Sequence, residues 1–164
     1  MISIVRLARE LNSEHLADAA QCRPRPQTLS VNVVYTRPEA TAAALRAAES
    51  FARDLETTIH IRAMIAVPRQ LAMDSGYISI KWLAQTLDGL VKCACSNRCE
   101  FVLHIHLCRS RIDALLTLLK PYSLLVIGGR RRLWPSFEGR LCRAVRRAGH
   151  SIAFVDPSGY WAVV

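Results

Sequence analysis

The segment LLVIGGRRRLWPSFEGRLCRAVRRAGHSIAFVD (124–156) decides the fold class. It begins with a continuous apolar run, Leu124–Ile127, of the kind found in strands that are buried on both faces of a sheet. Two glycines stop that run, and the amphipathic stretch 138–148 predicts a helix that ends at Gly149, in the left-handed cap position. The apolar run 151–155 predicts a second strand. This order predicts two parallel strands joined by a crossover helix.

The chain before this segment also alternates between strands and helices. Strands are predicted at 29–35, 59–67 and 101–108, and helices at 40–55, 81–97 and 111–119, with a loop at 69–80. The alternation predicts a five-stranded parallel open sheet in three layers, α/β/α, of the Rossmann-like class. Ligands of such sheets bind at the carboxyl ends of the strands, which here are 35–38, 66–69 and 128–139.

The first 28 residues have a different pattern. Val5, Ala8, Leu11, Leu16 and Ala19 recur at helical spacing among charged residues, which predicts an extra N-terminal helix over 3–20. The following Arg23-Pro24-Arg25-Pro26 predicts a linker, because these prolines cannot continue a helix. We therefore expect an N-terminal helical arm and linker (1–28) followed by one α/β domain (29–164).

Composition limits the class of protein. A chain of 164 residues that is 51% apolar can form one hydrophobic core and is not disordered. The sequence contains neither an apolar stretch of about 18 residues nor a secretory signal, so we expect a cytoplasmic location, no membrane contact and reduced cysteines. The net charge of +9 is carried mainly by arginine, which suits a solvated basic surface or phosphate contacts.

Two segments resemble the universal stress protein family. VVYTRPEATAAAL (33–45) is similar to the first strand and turn of that family, and 124–156 is similar to its fourth strand, glycine loop, helix and final strand. The resemblance covers roughly 29–156. It implies the adenine nucleotide alpha hydrolase-like fold, a role in stress response or regulation, and a dimer.

The resemblance also implies an ATP loop, from which this sequence departs. Arg131 stands at the second glycine position of the family's motif, and Arg140 follows Gly139 where the family has a hydroxyl residue. Thr36 aligns with the nucleotide-contacting aspartate but offers no carboxylate oxygens. We therefore expect no ATP binding and no cofactor, and a dimeric stress-response or regulatory protein that acts through protein contacts.

Two alternatives remain open at this point. The loop 128–132 leads through three arginines to a helix N-terminus with Ser136 as predicted N-cap, which suits an adenine nucleotide or another phosphate ligand. The candidate ligand-binding residues are Thr36, Gly128, Gly129, Arg130, Arg131, Ser136, Gly139 and Arg140. The second alternative is a basic nucleic-acid-associated protein.

The predicted strand 101–108 places His104, His106 and Cys108 on one face. Zinc is disfavoured there, because neighbours on one face of a strand lie ~6.6–7 Å apart and the upstream Cys-x-Cys-x3-Cys spacing is not a usual zinc pattern. Buried packing of these side chains is the favoured interpretation. The sequence also contains no nucleophile elbow and no acid–base pair, so we expect neither a metal site nor an enzyme.

The segment 151–164 combines a terminal strand, a turn and an apolar tail. An exposed strand edge invites pairing, and a two-fold partner would cover it. We therefore predict a homodimer through 151–164. A tail that folds back on its own core is the alternative.

Overall fold

The computed structural model describes residues 2–8, 30–73, 80–95, 99–121, 123–130, 136–158 and 161–163. The strands are β1 (Ile2–Ala8), β2 (Ser30–Val34), β3 (Ile59–Ala66), β4 (Phe101–Cys108), β5 (Ser123–Gly128), β6 (Ser151–Val155) and β7 (Trp161–Val163). The helices are α1 (Pro38–Asp54), α2 (Ile80–Ala94), α3 (Arg111–Leu118) and α4 (Phe137–Arg147). None of these helices is both long and apolar enough to cross a membrane.

The strands form one sheet in the order β1-β4-β3-β2-β5-β6-β7. The five central strands, β4, β3, β2, β5 and β6, are all parallel, which confirms the predicted five-stranded parallel sheet. The strands β1 and β7 extend it in antiparallel orientation, one at each side. The strand order reverses between β2 and β5, because the chain proceeds from β2 to β3 on one side and returns to β5 on the other.

Two apolar layers cover the sheet, one on each face. Helices α1 and α2 pack against Val33, Ile61 and Ile105. Helices α3 and α4 pack against Val34, Leu125 and Ile127 on the opposite face. Every residue of β5 is buried, as expected of a central parallel strand, and the three-layer α/β/α fold is confirmed.

The predicted N-terminal helix is wrong over its first residues. Ile2–Ala8 is a strand that pairs antiparallel with β4, from Ile2 opposite Leu107 to Ala8 opposite Val102. Its β-branched residues Ile2, Ile4 and Val5 suit the strand, and pairing with β4 outweighs a helical spacing of only a few apolar residues. The rest of the predicted helix and the linker lie outside the described residues. The division at residue 28 stays a prediction.

The end of the chain folds back on its own sheet. Strand β7 pairs antiparallel with β6, with Val155 opposite Trp161 and Ala153 opposite Val163. This is the arrangement that the sequence left as the alternative to a partner on β6. The homodimer stays a prediction, and β7 is now the strand that a second copy would meet.

Candidate functional site

A cleft of about 490 Å³ lies at the carboxyl ends of β2 and β5. These strands are neighbours at the point where the strand order reverses, which is where open parallel sheets bind ligands. Five parts of the chain line the cleft: the turn between β2 and α1 with the first residues of α1, the start of α3, the two residues after β5, the start of α4, and Pro157 after β6.

Gly128 sets how closely α1 approaches β5. A Cβ built on this glycine would lie 1.8 Å from the carbonyl oxygen of Ala40. Since no Cβ tolerates such an approach to a backbone oxygen, any other residue would push the helix off the strand. The structure thus gives the first glycine of the loop a packing role, and Gly128 is not among the residues that line the cleft.

Thr36 joins the ends of the two central strands. Its Oγ1 donates a hydrogen bond to the carbonyl oxygen of Gly128 at 2.9 Å, and its backbone N–H donates to Oγ1 of Thr41 at 3.1 Å. The hydroxyl proton is therefore used within the protein. Only the oxygen lone pairs of Thr36 are left to face a ligand, and these accept hydrogen bonds.

Helices α1 and α4, like α3, begin at the cleft. In α1 the first helical hydrogen bond runs from the N–H of Thr41 to the carbonyl oxygen of Arg37, so the N–H groups of Glu39 and Ala40 precede it. In α4 the Oγ of Ser136 accepts from the N–H of Gly139 at 3.0 Å, which confirms the predicted N-cap. Both helix starts carry a partial positive charge, and their remaining N–H groups suit an anion.

The charged side chains of the cleft are Arg37, Arg111, Arg130, Glu39 and Glu138. No ion pair joins any of these five described residues to another. The guanidinium of Arg111 lies over the ring of Phe137, with its central carbon 5.4 Å from the ring centroid, a cation–π contact that orients it. Three guanidinium groups against two carboxylates make the cleft electropositive.

The structure brings half of the predicted site residues together. Thr36, Gly129, Arg130 and Ser136 line the cleft, whereas Gly128 at the end of β5 and Gly139 and Arg140 in α4 do not line it. Arg131 falls outside the described residues.

Sequence reasoning did not name several residues that line the cleft. They include Arg37, Glu39, Arg111, Phe137 and Glu138. A signal existed for Arg37, which lies inside the segment 35–38 at a predicted strand end. Arg111 could not have been found locally, because it follows a strand two positions away from β2 in the sheet.

The histidines of β4 face the α3 and α4 layer, as Cys108 does. Nδ1 of His60 and Nε2 of His104 are 3.1 Å apart, and the rings of His104 and His106 are stacked with centroids 6.0 Å apart. No group of three or more metal-ligating side chains occurs in the described part of the chain.

Four of the five described cysteines, all except the exposed Cys93, have the character of packing residues. Cys99 and Cys108 are buried, and their Sγ atoms contact the carbonyl oxygens of Glu49 and Ile65. Burial raises the pKa of the Cys95 thiol to about 12 and that of Cys142 to about 11. Such thiols are poor nucleophiles near neutral pH.

The fold is that of a parallel α/β sheet with a cleft at the switch point, and a fold alone does not supply a function. No model of a known protein family matches the sequence, and no curated protein matches it either. The resemblance to the universal stress protein family therefore rests on the residues of 33–45 and 124–156.

Proposed function

We propose that this chain is a non-enzymatic regulatory protein of the universal stress protein type whose cleft binds a small phosphate or carboxylate ligand. One observation carries the proposal: the starts of α1 and α4 and the side chains of Arg37, Arg111 and Arg130 meet at one cleft. Ligand binding at this cleft would modulate contacts with protein partners.

The cleft suits a small molecule in both size and charge. Its volume of about 490 Å³ lies within the range of small-molecule sites. Backbone N–H groups at helix starts and guanidinium groups are the usual partners of oxyanions, and arginine pairs with them through two parallel hydrogen bonds. These features favour a ligand with an oxyanion group over an apolar ligand.

The same cleft disfavours ATP. Glu39 and Glu138 line it and would repel the high negative charge of a triphosphate. Thr36 donates its hydroxyl proton to the carbonyl oxygen of Gly128, and it has no carboxylate that could accept hydrogen bonds from a ribose. A ligand with one phosphate or carboxylate group fits this charge pattern better.

Thermal denaturation in the presence of phosphate, AMP and ATP tests the proposal. A ligand that binds only the folded protein stabilises it by ~2.7 kcal/mol at one hundred times its dissociation constant. We expect phosphate or AMP to raise the melting temperature of the wild type but not of the Arg37→Met/Arg111→Met variant. Arg46→Met, at an exposed position of α1, is the matched control and keeps the response. No response to phosphate and none to AMP would contradict the proposal.

The dimeric, protein-contact role belongs to the same proposal. Strand β7 ends the described sheet on one side, and an edge strand can pair with the same strand of a second copy across a two-fold axis. Light scattering at micromolar concentration tests this, and a monomeric mass would exclude it. Binding to DNA that weakens steeply with salt would instead support the nucleic-acid alternative. The cytoplasmic location stays a prediction.

A further inference from the structure

Arg62 is a buried cation in the middle of the sheet. It lies in β3 between Val34 of β2 and His104 of β4, and only 8% of it is exposed. Its Nε donates a hydrogen bond to Oδ1 of the fully buried Asn32 at 2.7 Å. Burial lowers the pKa of Arg62, because the charged guanidinium loses water.

The described part of the chain places no negative charge against this guanidinium. Within the described ranges no carboxylate forms an ion pair with Arg62, and Asn32 supplies only a neutral oxygen. A buried charge is costly unless an opposite charge or several hydrogen bonds compensate it. The protein therefore keeps a cation at a place where an anion would be stabilised.

His106 lies diagonally across from Arg62 on the same face of the sheet, next to His104, and its ring nitrogens lack partners in the described part of the chain. It is 2% exposed, and neither Nδ1 nor Nε2 has a hydrogen-bond partner among the described residues. Buried polar side chains in native proteins nearly always make at least one hydrogen bond. Burial and the charge of Arg62 both lower the pKa of His106.

We propose that Arg62 and His106 form a second, buried oxyanion site on the face of the sheet that α3 and α4 cover, and that it takes a single carboxylate or phosphate group. The oxyanion accepts hydrogen bonds from the terminal nitrogens of Arg62 and from a ring N–H of His106. It supplies both the opposite charge and the missing partners. This site is distinct from the cleft, because neither Arg62 nor His106 lines the cleft.

The test follows the His106 ring by NMR, with the His106→Gln variant assigning its signals. The protein is titrated with pH in chloride, acetate, phosphate and sulfate at equal ionic strength. A bound oxyanion raises the pKa of His106 relative to chloride, because the opposite charge favours the imidazolium. A response to acetate alone assigns a carboxylate site, and a response to phosphate and sulfate assigns a site for tetrahedral oxyanions.

Three variants separate this site from the cleft. Arg62→Met removes the response of His106 and melts higher than the wild type in chloride, because the uncompensated charge is gone. If Arg62→Met does not fold, Arg62→Lys is used instead. It keeps the positive charge but lacks the planar guanidinium, and we expect it to weaken oxyanion binding by about tenfold. The cleft variant Arg37→Met/Arg111→Met keeps the full response of His106, whether or not the cleft itself binds a ligand.

Two results would overturn the proposal. One is a His106 titration that is the same in all four anions. The other is a response that survives in Arg62→Met and disappears in the cleft variant, which would place the anion in the cleft only.

Discussion

The hydroxyl of Thr36 donates a hydrogen bond of 2.9 Å to the carbonyl oxygen of Gly128. Thr36 follows β2 by two residues and Gly128 ends β5, so this bond joins the two central strands where Thr36 lines the cleft. On its other side Gly128 abuts the backbone of Ala40 in α1. The cleft therefore depends on a few close contacts among two strands and one helix.

Gly128→Ala is expected to lower the free energy of unfolding by at least ~3 kcal/mol, at the upper end of overpacking effects. The added methyl group would lie 1.8 Å from the carbonyl oxygen of Ala40, which is backbone and cannot rotate away. Urea denaturation measures the change. Gly89→Ala is the control, because nothing lies within 4 Å of a Cβ there and alanine favours the helix by about 1 kcal/mol. Equal losses in both variants would contradict the packing role of Gly128.

Thr36→Val is expected to cost about 0.5–1.5 kcal/mol of folding free energy, since it removes one hydrogen bond and keeps the shape of the side chain. Thr36→Ser retains the donor to Gly128 and is expected to stay within a few tenths of a kcal/mol of the wild type. Equilibrium unfolding of the three proteins measures the difference. If valine and serine cost the same, the hydrogen bond does not stabilise the junction.

Ser136→Ala is expected to destabilise the protein by about 1 kcal/mol, because the N–H of Gly139 loses the oxygen that caps α4. Ser136→Asp keeps a capping oxygen and adds a negative charge at the cleft. We therefore expect it to restore stability while weakening phosphate binding, as measured by calorimetry. Tighter phosphate binding in the aspartate variant would argue against an anion in the cleft.

The stability of the protein is expected to fall as pH drops below 6.5. Burial and then the charge of Arg62 lower the pKa of His106 from 6.5. Below this pH the unfolded chain therefore binds a proton at His106 that the folded protein does not bind. This contributes a slope of up to about 1.4 kcal/mol per pH unit between 6.5 and the folded pKa. Urea denaturation in chloride at several pH values measures the slope. His106→Leu removes this contribution, and an unchanged slope in that variant would contradict it.

The described thiols are expected to react at different rates with iodoacetamide at pH 8. Cys93 is exposed, whereas burial raises the pKa of Cys95 to about 12 and that of Cys142 to about 11. Because the thiolate is the nucleophile, Cys93 should be labelled first in the folded protein. Peptide mass spectrometry measures the order, and denatured protein, in which the difference disappears, is the control.

Local patterns were sufficient for most of the fold. The run FVLHIHLC predicted a strand over 101–108, and β4 has the same bounds. The sequence predicts a left-handed cap at Gly149, and this residue has φ of +85°. These features follow from apolar periodicity and from backbone conformations that only glycine adopts easily.

Long-range contacts account for what the sequence did not predict. Ile2–Ala8 is a strand because of β4, about one hundred positions along the chain, and no local signal names that partner. Arg111 lies at the cleft because β4, the strand before it, ends at the same edge of the sheet as β2 and β5. The sequence indicates a phosphate-loop role for Gly128, whereas its close contact with Ala40 depends on how α1 packs on the sheet.

The pairing of β2 with β5 also constrains the order in which the protein can fold. Ser30 and Ser123 lie opposite each other but are 93 positions apart in the chain, whereas β2 and β3 are connected by α1 alone. Contacts of high sequence separation form slowly because a long loop must close first. A growing chain can therefore pair β2, β3 and β4 on the ribosome. Until β5 is made, the other side of β2 is an unpaired strand edge. The cleft comes into existence only when β5 has been synthesised and has inserted beside β2.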